Sequence, residues 1–420
     1  MIRKLQLVVA VAVLVIAAFS TALPFLFYLL YLSVLIVGGS YVVVRLGLTD
    51  LEAGYAVSQL TGHVGDKLRV TYTLRSGSRL AKPWLEIHNP TTLPGGLPGR
   101  AITLPGRSER SWLIRVPLGR RGHFRIEPLH IRTGDPFGFF EASATVGQGV
   151  SVVVVYPRLE ALPRWRLPAA ALEGSQASPV RTLQTTPLAT TVRPYAPGDS
   201  MNRIHWKSTA RHGEIQVKEF DLEQTADVWI VLDLERGIQT GRGDESTVEV
   251  AVRAAAAIAD KALQENRAVG MTVNMTRTAF LPPDRGSRQH LKIMQLLASV
   301  EADSDEPLVE ALIQTMGRLR RGMTAVIVTP SLDAAWVRPL SALRPRGVAC
   351  VVVTLDAAAY QRAAVAEAAS RTSGTSMRPP AADVDEAAKR ARALHHTLAE
   401  YELPLYTITP GRRLAEALAR

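Results

Sequence analysis

DVWIVLDL, residues 227–234, is a continuous apolar run closed by Asp233, with none of the alternation expected of a strand that has one wet face. A strand buried on both faces needs helices on either side, and the chain beyond it supplies them. Thr247 to Asn266 is an alanine-rich helical stretch, and AVGMTVNM (268–275) is a second apolar strand. Helical patterns follow around 290–300 and 307–320. TAVIVT (324–329), a helix after Asp333, GVACVVVTL (347–355), a helix after Asp356, PLYTIT (404–409) and a terminal amphipathic helix complete the pattern. Alternating strands and helices predict a doubly wound α/β domain of Rossmann type over 226–420, with its functional edge at the carboxyl ends of the strands.

Immediately before that domain stands VRPYAPGDSMNRIHWKSTARHGEIQVKEF, residues 192–220. Pro197 and Gly198 make a turn, Asp199 or Ser200 is placed to cap a helix, Met201 to Arg211 reads as that helix, and Gly213 closes it. Glu214 to Phe220 alternates as a strand. Arg203, Lys207 and Arg211 fall four apart and form one basic stripe, while Trp206 and Ala210 point to a neighbouring face. Two readings of the stripe stay open. It pairs internally with Glu219, Asp221 or Glu223 while Trp206 anchors a core, or it docks an acidic partner. No hydroxyl or thiol with a neighbouring base is legible here, so no catalytic residue is assigned.

Tyr195, Pro197, Gly198, Asp199, Arg203, Ile204, Trp206, Lys207, Ala210, Arg211 and Gly213 together resemble the signature of the family called domain of unknown function 58. RRGHFRIEPLHIRTGDPFGFF (120–140) is similar to the region that precedes the signature in the same family. The resemblance implies a von Willebrand factor type A-like domain at the C-terminal end, and partnership with an AAA+ ATPase of the MoxR type in protein maturation or assembly. It also directs attention to a magnesium site after the first strand of that domain. Asp233 stands at its first position, but Glu235 and Gly237 replace the usual serines, and Thr329, Pro330 and Ser331 leave Asp333 displaced. Asp233, Glu235 and Asp333 are therefore candidate ligands of an altered site or polar residues capping strand ends, and no cofactor is expected.

Toward the N-terminus, no charged residue occurs from Leu5 to Val44, about twice the roughly 20 residues that span a bilayer as a helix. Residues 1–48 read as a transmembrane helical hairpin turning near Ser20, Thr21 and Pro24. Arg3 and Lys4 before the uncharged run and Arg45 after it place both ends, and the bulk of the chain, on the cytoplasmic side of a bacterial inner membrane. Residues 49–160 carry short alternating segments, VTYTL, WLEIH, AITL, SWLIRV, FRIEPLHI and VSVVVVY, between Gly, Pro and Ser clusters. These predict an antiparallel β-sandwich. In it the corner Gly134–Phe140 projects Phe137, Phe139 and Phe140, either to plug the sandwich end or its junction with the next domain, or to form an exposed partner patch. Residues 161–225 combine a linker with the signature segment.

The composition narrows the function. Of 420 residues 47% are hydrophobic, the net charge is +11, and the single cysteine, Cys350, lies in an apolar strand and forms no internal disulfide. Phosphate-loop, zinc-protease and nucleophile-elbow motifs are absent. The adjacent His395 and His396 diverge on a helix, and the tripeptide Arg242, Gly243, Asp244 in a glycine-rich loop is too short to mean adhesion. The basic excess is spread along the chain without an RNA-binding signature, so nucleic acid is not the expected partner. The reading is a membrane-anchored, non-enzymatic scaffold or adaptor. Its rivals are a metal-dependent ligand-binding or enzymatic domain centred on Asp233, and a binder of anionic lipid or nucleic acid.

Overall fold

The computed structural model describes residues 2–147, 149–167, 191–196, 199, 201–219, 227–371 and 381–419. The chain divides into two compact units, Met1–Leu159 with Met294–Val300, and Glu160–Ile293 with Glu301–Arg420.

The first unit begins with helices α1 (Ile2–Thr21) and α2 (Pro24–Gly47). Proline at the start of α2 suits a position whose N–H would lack a helical partner. Among the described residues α2 is the helix long and apolar enough to cross a membrane; the apolar part of α1, Val9–Thr21, is shorter. Ser40, Val44 and Gly47, spaced four and three apart, form the buried face of α2.

Ten strands follow: β1 (Leu51–Val57), β2 (Thr61–His63), β3 (Lys67–Ser76), β4 (Lys82–His88), β5 (Arg100–Leu104), β6 (Glu109–Pro117), β7 (Gly122–Ile126), β8 (Leu129–Gly134), β9 (Glu141–Val146) and β10 (Ser151–Tyr156). They form three sheets, ordered β1-β3-β6, β2-β10-β7 and β5-β4-β8-β9. All pairings are antiparallel except β2 with β10. Alternation in β3 sends Leu68, Val70, Tyr72 and Leu74 inward, where they meet Leu85, Ile87, Ile126, Ile131 and Val153 in one apolar core. FRIEPLHI, expected as one strand, is two, because Pro128 cannot donate to a ladder and the chain turns there.

In the second unit come β11 (Thr191–Pro194), α3 (Trp206–His212) and β12 (Gln216–Glu219), and then the α/β region. Its elements are β13 (Val228–Asp233), α4 (Thr247–Gln264), β14 (Val269–Asn274), β15 (Ala279–Asp284), α5 (Gly286–Ser299, of which the residues from Met294 on belong to the first unit), α6 (Leu308–Met316), β16 (Thr324–Thr329), α7 (Val337–Ser341), β17 (Ala349–Leu355), α8 (Ala357–Arg371), α9 (Ala381–Glu400), β18 (Leu405–Ile408) and α10 (Leu414–Ala417). The stretch 373–380, read in sequence as a loop, lies outside the described residues apart from its flanking helices.

The sheet runs β15-β14-β13-β16-β17-β18, winding outward from β13 in both directions, and is parallel except at β15. Every residue of β13, β14 and β16 is buried, which is why these strands read as mostly apolar runs without alternation. Trp229, Val231, Ala325, Ile327 and Val352 share one core with Leu312, Trp336 and Leu394. The order reverses between β13 and β16, so their carboxyl ends flank the crevice where such sheets place ligands.

Candidate functional site

Two places gather the residues singled out by the sequence. The first is the crevice at the end of β13. Asp233 is fully buried, and Thr329 Oγ1, at the end of β16, donates to its Oδ2 at 2.6 Å. Asn274 Nδ2, at the end of β14, and the backbone N–H of Glu235 each donate to Oδ1 at 3.2 Å. Asn274 is itself held, donating to Glu306 O at 3.0 Å and accepting from Ser304 Oγ at 3.0 Å. Three strand ends and the Ser304 loop thus close on one carboxylate.

Burial pushes the Asp233 carboxyl up, against the lowering effect of its three donors. Glu235 is also raised, first by burial and then by the charges of Asp233 and Asp333. Asp333 does not turn to the cluster through a hydrogen bond; its Oδ1 accepts the Ala335 N–H at 3.0 Å, a local turn. Among the described residues no group of three or more His, Cys, Asp or Glu is arranged to hold a metal ion. A hard cation asks for six or more oxygens, whereas both oxygens of Asp233 already accept protein O–H and N–H groups. The donor set fits a hydrogen-bonded carboxylate and does not fit magnesium without rearrangement.

The second place is the signature segment. β11 and β12 pair antiparallel, and Ile204 bridges to Val217. That bridge shortens the expected helix: Met201–Arg203 is a separate 3-10 turn, and the α-helix starts only at Trp206. Arg203 therefore does not share a helical stripe with Lys207 and Arg211, which remain four apart on α3. The cap also moves. His205, not Asp199 or Ser200, precedes α3, its Nδ1 accepting the Ser208 N–H at 3.2 Å, and Gly213 ends the helix at φ 75°. Asp199 instead takes a two-pronged ion pair from Arg193, both contacts at 2.8 Å, and accepts the Ala196 N–H. Arg193 was not among the residues singled out, although opposite charges six apart across a Pro-Gly turn were a usable sign.

Trp206 is not a core anchor. It is 69% exposed, and Met201 is 71% exposed, while the small core of this segment is filled by Ile204 and Val217. Tyr195, Val192 and Ile215 are also exposed apolar side chains, and Lys207 and Arg211 are exposed as well. Pro197, Gly198, Asp221 and Glu223 lie outside the described residues, as do the side chains of Arg203 and Glu219.

One pairing was not anticipated: Ser208 Oγ lies 2.7 Å from His205 Nδ1. That nitrogen also receives the Ser208 N–H, and among the described residues nothing orients the far ring nitrogen, so the contact is that of a helix cap.

Residues 191–361 match the family model described as "Protein of unknown function DUF58". This segment carries a DUF58 domain. It holds the signature segment, as the resemblance in the sequence implied, and it also spans the Asp233 crevice and the central strands of the α/β sheet. The chain is similar to the Bacillus subtilis (strain 168) "Uncharacterized protein YeaD", 24% identical over 68% of this chain and 71% of that protein. It is also similar to "Uncharacterized protein Rv1480" of Mycobacterium tuberculosis (strain ATCC 25618 / H37Rv), 27% identical over 39% of this chain. That match spans about half, 53%, of the mycobacterial protein.

Solved structures similar to part of the chain include the CARDB domain of PF1109 from Pyrococcus furiosus, crystallised with di-metal ions. It is 12% identical over 25% of this chain and 92% of that one, with a TM-score of 0.20. Proximal thread matrix protein 1 from the mussel byssus is 11% identical over 31% and 38%, with a TM-score of 0.26. At these scores neither bears on the DUF58 domain's function.

Proposed function

We propose that the protein is a membrane-anchored, non-enzymatic adaptor whose DUF58 domain docks an AAA+ ATPase of the MoxR type in a system that matures or assembles other proteins. In this reading α1 and α2 form a two-helix hairpin in a bacterial inner membrane. The three-sheet region is a β-sandwich, the α/β region is of von Willebrand A type, and both face the cytoplasm.

The observation that carries the reading is Trp206. A tryptophan and a methionine stand out from a segment that buries Ile204 and Val217, and Lys207 and Arg211 are exposed on the same short helix as the tryptophan. Exposed aromatic anchors beside cations are the composition of interface hot spots, and the cations suit an acidic partner surface. The strand-end crevice supports the non-enzymatic side, because its one buried carboxylate is consumed by Thr329, Asn274 and Glu235. Arg45 in the last turn of α2 supports the cytoplasmic placement.

The test uses the detergent-solubilised full chain and a purified MoxR-type ATPase from the same organism. Lys207→Glu with Arg211→Glu is expected to weaken binding at least tenfold while the melting temperature stays unchanged. Undiminished binding by the folded double variant would remove the docking role.

A further inference from the structure

The aromatic corner after β8 has no role in the docking reading, yet it is built with care. Asp135, buried, accepts the backbone N–H of Phe137 at 2.9 Å and that of Phe140 at 2.6 Å, and the Phe139 N–H also bonds to it. The Asp135 N–H donates to Phe140 O at 3.3 Å and the Gly138 N–H to Asp135 O at 3.2 Å; Pro136 has no N–H. Every backbone donor from 135 to 140 is therefore satisfied inside the loop. Around this closed backbone the side chains turn outward. Phe137 is 56% exposed and stacks on Phe139, and the half-exposed Phe140 meets the ring of Tyr41 edge to face at 5.7 Å.

Tyr41 fixes the depth of the loop. It lies in α2 six residues before Gly47, about 9 Å along the axis at 1.5 Å per residue. Roughly 20 residues of helix fill the hydrocarbon layer, so a span begun near Pro24 ends close to Tyr41. Gly47 also sits against β8, where a Cβ would come 3.0 Å from Thr133, and Lys82 of β4 caps the end of α2 by donating to Thr49 O at 2.6 Å. The loop is thus fastened beside the last turns of α2 by contacts within one unit.

A loop at that level faces headgroups and the upper acyl chains, where backbone groups without internal partners are costly and aromatic rings are favoured. Trp84, packed on Gly134, adds a further partly exposed ring. We infer that Asp135–Phe140 is a second membrane contact, an aromatic wedge that seats Phe137 and Phe139 in the headgroup–acyl boundary next to α2. The occupant is a lipid bilayer, and the inference rests on the reading that α2 crosses it. The wedge would fix the tilt of the β-rich unit on the membrane surface, which a single helix end leaves free.

The test places an environment-sensitive fluorophore on single cysteines in the full chain. Cys350, the one native thiol, is buried, with its pKa pushed up to about 12 by burial, and is replaced by Cys350→Ala. The protein is reconstituted in phosphatidylethanolamine and phosphatidylglycerol vesicles, and each label is quenched by lipid-borne nitroxide or by aqueous iodide. Labels at Phe137→Cys and, as a second position, Pro136→Cys are expected to be quenched by shallow nitroxides. Their iodide quenching is expected to be several-fold below that of Gln59→Cys, beyond the far end of β1. Leu35→Cys, in the middle of α2, reports whether α2 is in the bilayer at all. If Leu35→Cys is quenched by deep nitroxides while both loop labels are as open to iodide as Gln59→Cys, the wedge is overturned and the span stands. If Leu35→Cys is itself open to iodide, the span fails and the wedge with it.

Discussion

Thr329 Oγ1 donates to Asp233 Oδ2 at 2.6 Å, tying the end of β16 to the end of β13 at the point where the sheet reverses its order. The carboxylate is fully buried, so this bond both satisfies the charge and joins two strands that have no sequence proximity. Thr329→Val keeps the shape and removes the donor. It is expected to lower stability by about 1–3 kcal/mol, the cost of a buried polar group losing a partner, measured by chemical unfolding of the full chain in detergent.

The direction of the Asp233 shift gives a pH test. Burial raises its folded pKa above the unfolded one, so its stabilising contribution is full below the ordinary aspartate pKa and is lost as pH rises through the folded value. Relative to Asp233→Asn, the wild type is expected to lose stability as pH rises through that window. A constant difference across it would mean that the carboxyl is not shifted upward. Magnesium at millimolar concentration is expected to give neither heat nor thermal shift, because its site would have to displace three protein donors.

Asp135 is the mirror case. Burial raises it too, but the N–H groups of Phe140, Phe139 and Phe137 outweigh burial and hold the carboxyl below its ordinary range. Its contribution is therefore present above the unfolded aspartate pKa and lost as pH falls through the lower folded value. Asp135→Ala is expected to cost about 1–3 kcal/mol near neutral pH and progressively less in acid, read by denaturant unfolding at several pH values.

Lys82 lies buried under the end of α2, donating to Thr49 O at 2.6 Å and Leu46 O at 3.3 Å. Burial lowers its pKa, with Asp50 opposing. Lys82→Met fills the volume but removes the donor of Thr49 O, while Leu46 O still accepts from Thr49 Oγ1 at 2.8 Å. The expected loss is about 1–3 kcal/mol, with faster hydrogen exchange at residues 46–50.

Much of the α/β region was legible because burial on both faces writes itself into composition: β13, β14, β16 and β17 are mostly apolar with no polar face, and α4 is rich in buried alanine. β15 was not, since AFLPPD carries two prolines; it survives as an antiparallel edge strand, where missing donors are tolerated. The terminal helix was overread, as α10 is only Leu414–Ala417. In the signature segment the periodicity of Arg203, Lys207 and Arg211 was real in sequence, but the Ile204 bridge to Val217 overrides it, a tertiary pairing that no local pattern announces. For the same reason the exposure of Trp206 could not be read from its spacing.

Trp206 also separates structure from docking. Trp206→Ala is expected to change stability by no more than about 0.5 kcal/mol, as an exposed side chain should, while costing about 2 kcal/mol or more in partner binding.

The most direct measurement of the adaptor reading is site-specific photocrosslinking in cells from a photoreactive residue at position 206 of the full-length protein, with the adduct identified by mass spectrometry. The expected result is an adduct to an AAA+ ATPase of the MoxR type that disappears in the Lys207→Glu, Arg211→Glu background. An adduct confined to this chain itself, with Trp206→Ala unfolding the domain, would show the tryptophan to be an internal brace and contradict the account.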